Sequence, residues 1–274
     1  MMYIIIILKT YLLVYMSNIK QGIGCFIHPS VQIMDGANVT LGDHVYIGEN
    51  VKIMPGEFSI GDYSKIHSGT LINPKNYIRL GHLAWIGQNS ILDGTGGITA
   101  GNYLGVGMGS SLYSHIRHGD ILEGCNYNQN KPMILGDDVW FVGMCLVSPI
   151  TAQDKSVAML GSVITKDMRC NTVYGGNPAN ILNTKLIRPY KLEIENTNTN
   201  KVVLMRQFIN EYTEETGNSI SNIEIVTDEY PLTSDPDVTY YNIRQRTYTK
   251  RNTENEINFN KWLFRYKAKF IPNT

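Results

Sequence analysis

The chain has 274 residues, enough for one large domain or a repetitive body with a small second module. Lys and Arg number 24 and Asp and Glu 24, so no net field draws in nucleic acid or an anionic membrane, and a small-molecule partner is expected instead. Cys25, Cys125, Cys145 and Cys170 lie far apart with no C-x-x-C pair, which argues against a zinc ribbon or a dense disulfide framework and suits a reducing, cytoplasmic setting.

Residues 1–21 read as an apolar N-terminal extension. Tyr3 to Val14 is apolar apart from Lys9, Thr10 and the tyrosines, but it is shorter than the roughly 20 apolar residues a membrane helix needs. It has no basic leader and no small-residue cleavage site behind it. Three roles stay open: an upstream extension with the working start at Met16, a membrane-surface tether, or an element packed on the end of the body that follows. The first and third are preferred, and membrane association is not expected.

From residue 22 the pattern changes. Ile27 and Ile33 stand six apart as a capping turn, and then a six-residue aliphatic beat runs through Leu41, Ile47, Ile53, Ile60, Ile66, Ile72, Leu80, Ile86 and Leu92. A small residue often follows, as in Leu41-Gly42 and Ile86-Gly87. A period of six fits neither a helix nor a simple strand; repeated this long it predicts a solenoid of triangular coils, each burying its aliphatics only against the coils above and below. The Asp93-Gly94-Thr95-Gly96-Gly97 run shifts the phase, and Ala100, Val106 and Leu112 resume it. Residues 116–133 have no beat and read as a projecting loop, where binding residues collect. Leu135, Phe141 and Val147 restart the coils, with Ala152 and Ala158 as degenerate positions before the GGNPANIL ending near residue 184.

Residues 185–274 read as a small α+β module. IENTNTNK looks like a linker. Val202, Met205, Ile209 and Tyr212 share one helical face, Ile223 to Val226 and Val238 to Tyr248 look like strands, and Phe259, Trp262, Leu263 and Tyr266 mark a second helical stripe whose aromatics are expected in a core.

Three segments occur in order on this scaffold. Tyr113-Ser114-His115-Ile116-Arg117-His118 resembles the Y-x-H-x-x-H segment of hexapeptide-repeat sugar acetyltransferases of the galactoside and maltose type. LGDDVWFVG at 135–143 resembles their [IL]-G-[DN]-[DN]-V-W-I-G coil, and LGSVITKDMRCNTVYGGNPANIL resembles their C-terminal signature. The resemblance covers roughly residues 27–182 and implies a left-handed parallel β-helix, an all-β solenoid carrying the α+β extension. It also implies acetyl transfer from acetyl-CoA to a hydroxyl or amine of a sugar in a surface glycan, lipopolysaccharide or nucleotide sugar, with no metal and no covalent enzyme intermediate, in a homotrimer whose sites lie between subunits.

Carried over residue by residue, the resemblance makes His115 the general base, a role suited to a neutral imidazole. It places Trp140 near thioester and acceptor, and Gly143, Leu160, Thr165 and Lys166 along the coenzyme A arm and phosphates, where apolar surface and a cation are needed. Asp93 and His118 are acceptor-side candidates. The chain departs from its relatives at Asn180 and Asn183, where basic residues are common, and Arg169, Arg188 or Lys191 are the available replacements. Asp120 and Glu123 are candidates to orient a histidine.

Two other readings stay open. One is a catalytically silent solenoid serving as a scaffold or glycan-binding module. The other is a metal-dependent protein of the carbonic anhydrase-like branch, for which His82, His115 and His118 are the available ligands, though their spacing does not match.

Overall fold

Each aliphatic of the six-residue beat is the inward residue of a short strand, and three such strands close one triangular coil. The computed structural model describes residues 18–182, 188–192, 194–218, 220–231 and 235–273. The apolar segment at 3–14, Met16, Asn183 and the expected boundary at 184–185 lie outside the described residues. Within them, three long sheets of seven, nine and seven strands run along the coils. Face 1 carries Ala37–Leu41, Gly56–Ile60, Tyr77–Leu80 and Ile98–Ala100; face 2 carries Tyr46–Ile47, Trp85–Ile86, Gly105–Val106 and Trp140–Phe141; face 3 carries Lys52–Ile53, Ile91–Asp93, Ser111–Tyr113 and Leu146–Val147.

The parallel register stacks like on like. Ile47, Ile66, Ile86, Val106, Phe141 and Ala158 form one column, and Ile53, Ile72, Leu92, Leu112, Val147 and Ile164 another. All are buried. Burial of each Ile, Leu or Val stabilises by about 1.5–3 kcal/mol, and because a coil's apolar surface is covered only by its neighbours, that gain belongs to the stack.

The glycine after the aliphatic has a steric cause. A Cβ on Gly61 would lie 2.6 Å from the backbone nitrogen of His82 in the next coil, so the corner stacks flush only without a side chain. The following residue has a second task, to satisfy the corner's backbone. Ile23 N donates to Asp43 Oδ1 at 2.8 Å, Asp43 N to Asp62 Oδ1 at 2.9 Å, and Asp62 N to His82 Nδ1 at 3.0 Å. The ladder continues through Asn102, Asp137 and Asp154. Every rung pairs an amide that no strand bond would otherwise reach. His82 takes the place of an aspartate in this ladder, so its Nδ1 accepts and is unprotonated.

The alanines that break the beat are size-matched. Ala158 sits in register between Phe141 and Tyr174, and Ala152 follows Leu135 and bridges to Met168. Large neighbours leave room for a methyl only, so Ala158→Ile is expected to destabilise by about 1–3 kcal/mol through overpacking, read from urea denaturation.

The first coil starts earlier than the sequence pattern indicates. Asn18–Gln21, inside the stretch assigned to the extension, pairs in parallel with Ala37–Leu41. Its four residues are all exposed, so no apolar signal marks it. The loop at 116–133 contains an antiparallel hairpin, His115–Arg117 with Asn128–Asn130, before the coils resume at Met133–Leu135.

The described chain divides after Tyr190 into two units. Taken by itself, the second holds helix α1, Asn198–Thr216, and helix α2, Glu254–Leu263, with a four-stranded sheet. Part of the apparent linker is the first turn of α1: Thr197 caps it by accepting from Asn200 N, a role that Thr and Asn favour over helix interiors. The expected strand from Val238 to Tyr248 is two strands, Thr239–Asn242 and Thr247–Tyr248, folded into a hairpin with Arg246 in the left-handed region. Tyr212, Tyr241, Tyr248, Phe259 and Trp262 form an aromatic core, whereas Tyr266 lies in a 3-10 turn and is 44% exposed. No helix among the described residues is long and apolar enough to cross a membrane.

Candidate active site

Asp93 ends the strand Ile91–Asp93 on face 3, in register with Asn73 one coil before and Tyr113 one coil after. The Gly-rich turn behind it folds back, so that Thr95 N donates to Oδ1 at 2.9 Å while Asn73 Nδ2 donates to Oδ2 at 2.8 Å. Burial alone would raise the pKa of this carboxyl, but the bonds from Thr95 and Asn73 and the neighbouring His115 outweigh it and hold it below the ordinary value. Asp93 is therefore a carboxylate at neutral pH. Buried Ser114 ties this turn to the next coil, its Oγ donating to Asp93 O at 2.7 Å and accepting from Gly96 N at 2.8 Å.

His115 follows Ser114 directly, at the root of the hairpin. Its Nδ1 lies 3.1 Å from Asp93 Oδ1. The geometry is too bent for a well-formed hydrogen bond, so we treat the contact as electrostatic. A carboxylate at Nδ1 favours the tautomer protonated there, leaving Nε2 of a side chain 28% exposed to take a proton. Asp93, expected on the acceptor side, is thus packed against the imidazole. Asn73 and Ser114 escaped the sequence reading; the 20-residue coil spacing that puts Asn73 in line with Asp93 is the signal that finds the first. His118 is exposed beyond the hairpin strand. Asp120, a candidate orienter, instead accepts from Leu122 N at 2.8 Å within its own turn.

Thr165 and Lys166 lie on the same edge, further along. Ser148 and Thr165 continue the line of Tyr113 in successive coils, by the register of Leu112, Val147 and Ile164. Both Thr165 and Lys166 are exposed, and they line a cleft with Ile164, Arg169, Tyr174 and Asn180. Arg169 is fixed there by its backbone N, which donates to the Tyr174 hydroxyl at 2.8 Å. Asp167 also lines the cleft, but its Oδ1 accepts from Thr151 N at 2.8 Å. Asn180 Nδ2 donates to Pro178 O at 3.1 Å and is turned to its own loop. Two cations on the lip of an open cleft fit an anionic ligand with an extended apolar arm.

Trp140, Gly143 and Leu160 stand elsewhere. Trp140 is on face 2, 49% exposed. Gly143 and Leu160 meet at the corner between faces 2 and 3, where Gly161 N donates to Gly143 O at 2.9 Å and Leu160 is 65% exposed. The His115 edge, between faces 3 and 1, is a different one. One chain therefore brings Asp93 to His115, and Arg169 to Thr165 and Lys166, but does not bring Trp140, Gly143 and Leu160 to the imidazole. His82 sits on the third corner, away from His115, and among the described residues no group of three or more His, Cys, Asp or Glu could hold a metal ion.

No protein-family model matches the chain. It is 24% identical over 169 residues to the putative colanic acid biosynthesis acetyltransferase WcaF of Escherichia coli (strain K12), covering 61% of this chain and 70% of that protein. The Shigella flexneri protein of the same name matches to the same extent. Among solved structures it is similar to AntD, an N-acyltransferase from Bacillus cereus in complex with dTDP and coenzyme A, at TM-score 0.45 and 15% identity over 74% of this chain and 95% of that one. It is also similar to the hexapeptide-repeat acetyltransferase VCA0836 of Vibrio cholerae, at TM-score 0.34 and 19% identity over 67% and 78% of the chains. The six-residue beat, its three parallel faces and the match to an acetyltransferase sequence make this chain a hexapeptide-repeat protein of the acyltransferase family, built on a left-handed parallel β-helix.

Proposed function

We propose that this protein is an acetyltransferase that moves the acetyl group of acetyl-CoA to a hydroxyl or amine of a sugar, by direct attack with His115 as general base. The observation that carries the reading is the Asp93–His115 pair, a buried carboxylate 3.1 Å from one nitrogen of an imidazole at the solenoid's edge. Acetyl-CoA supplies the thioester. His115 Nε2 takes the proton as the acceptor oxygen or nitrogen bonds to the acetyl carbon, and the carbon–sulfur bond breaks with its electron pair leaving on sulfur. Asp93 holds the ring and balances its charge once protonated. Lys166 and Arg169 meet the phosphates, Arg169 replacing the cation absent at Asn180.

Trp140, Gly143 and Leu160 join the reading if a second copy presents them to the His115 edge, so the working form is a homotrimer with sites between subunits. Gly143 then lets the pantetheine arm approach backbone, and Leu160 covers its apolar part. The relatives suggest an acceptor from surface-polysaccharide or nucleotide-sugar chemistry, since WcaF is described for colanic acid biosynthesis. Four unpaired cysteines suit a cytoplasmic setting.

Calorimetric titration of acetyl-CoA tests the reading. Saturable binding is expected at one site per chain, weakened roughly tenfold or more in Lys166→Ala and in Arg169→Ala, the scale of a lost charge-assisted contact. No binding to folded protein would sink it and leave the silent scaffold.

A further inference from the structure

Face 2 carries a run of rings. Phe26 stacks on Tyr46 with centroids 5.4 Å apart and planes at 9°. Tyr46 meets His67 at 6.1 Å, and His67 meets Trp85 at 4.9 Å. Trp85, Gly105 and Trp140 then follow in strict register. Gly105 is small for a reason: a Cβ there would lie 2.7 Å from Trp140 Cδ1, so the indole of Trp140 leans over the glycine toward Trp85. Phe26, Trp85 and Trp140 are 50%, 40% and 49% exposed.

The strip is rigid, flat and nearly neutral. Its rings stand on sheet strands whose backbone bonds fix their spacing. Burial, followed by the nearby Lys65, holds the His67 imidazole below its ordinary pKa, so it is neutral at pH 7. From Phe26 to Trp140 the register takes five coil steps of about 4.8 Å, about 24 Å in all. Rings with apolar faces and polar edges, exposed in a row, match a ligand that alternates C–H faces with hydroxyl edges. One sugar ring cannot cover that length.

We propose that this strip is an extended saccharide subsite, and that the acceptor is a chain of sugars laid along face 2 rather than a single nucleotide sugar. The inference rests on the acetyltransferase reading, because Trp140, the aromatic expected beside thioester and acceptor, is the strip's last ring. Continuity with Trp140 is what assigns the strip to a saccharide rather than to a second copy of the chain. Tyr46 and Trp85 become positioning residues: they hold the distal sugars and leave the reacting group to His115.

Binding of the full-length protein to an array of immobilised bacterial polysaccharides, their oligosaccharide fragments and the parent monosaccharides tests this without requiring turnover. The expected result is binding to chains and not to monosaccharides, lost at least tenfold in Trp85→Ala and Tyr46→Ala and kept in His115→Ala. Sedimentation of the same variants accompanies it. Absence of chain binding in protein that still binds acetyl-CoA, or chain binding indifferent to Trp85 and Tyr46, overturns the subsite and leaves the acetyltransferase reading standing. A drop in oligomeric state in Trp85→Ala also overturns it, since the rings would then be an interface between copies. Failure of acetyl-CoA titration is the separate result that removes the underlying reading.

Discussion

Replacing His115 with alanine is expected to lower the turnover number for acetyl transfer by about 10²-fold or more, with acetyl-CoA affinity unchanged. The split follows from position: the imidazole lies at the hairpin root beside Asp93, while the proposed phosphate cations Lys166 and Arg169 line a cleft further along the same edge. Steady-state kinetics and calorimetry on one preparation check both halves, and an active His115→Ala protein would remove the general base from the mechanism. Asp93→Asn keeps the shape but not the charge. It is expected to reduce turnover by roughly one to two powers of ten without changing the KM for acetyl-CoA, the scale seen when an orienting partner of a functional histidine is lost.

Asp93→Asn has a second, independent readout in stability. The folded-state pKa of Asp93 is depressed, so its stabilising contribution is present above the unfolded carboxylate value of about 3.9 and is lost as pH falls through the folded value. Wild type is therefore expected to melt above Asp93→Asn at pH 7, with the gap closing as the pH approaches 3. A constant gap across that range would mean that the carboxylate's charge is not what holds the turn.

The largest expected loss of stability is from Phe141→Ala. Phe141 is fully buried, in register between Val106 and Ala158, with Tyr174 beyond the alanine. Truncation leaves a void that the methyl of Ala158 cannot fill, and the coils are held at their spacing by backbone bonds such as Val142 N to Ala158 O at 2.9 Å. The expected cost is about 3–5 kcal/mol. Coils interact with their neighbours only, so the loss falls on the C-terminal coils that carry Thr165, Lys166 and Arg169, and acetyl-CoA affinity should fall with it. Urea denaturation followed by far-UV circular dichroism measures the first, and a change below about 1 kcal/mol would mean that the column repacks.

The six-residue beat was enough to name the solenoid, because a period is a local property that any single coil displays. Leu41, Ile47, Ile53 and their successors point inward wherever the chain closes triangular turns, and no long-range information is needed to read them. The same locality hid the first strand, Asn18–Gln21, whose exposed residues join the sheet through backbone bonds alone. It also made Ala152 and Ala158 look degenerate, since their fitness depends on Met168, Phe141 and Tyr174 in adjoining coils. Motif resemblance singled out His115, but it could not say what holds the ring. That was decided when stacking brought Asp93 alongside His115 and Asn73, 20 residues earlier, alongside Asp93. Likewise Trp140 and Leu160, near His115 in sequence, belong to a different face and corner, because each coil turns three times and a few residues of chain carry a side chain to the opposite side of the prism. Sequence thus determined the coil; only the stacking of coils decided which side chains meet.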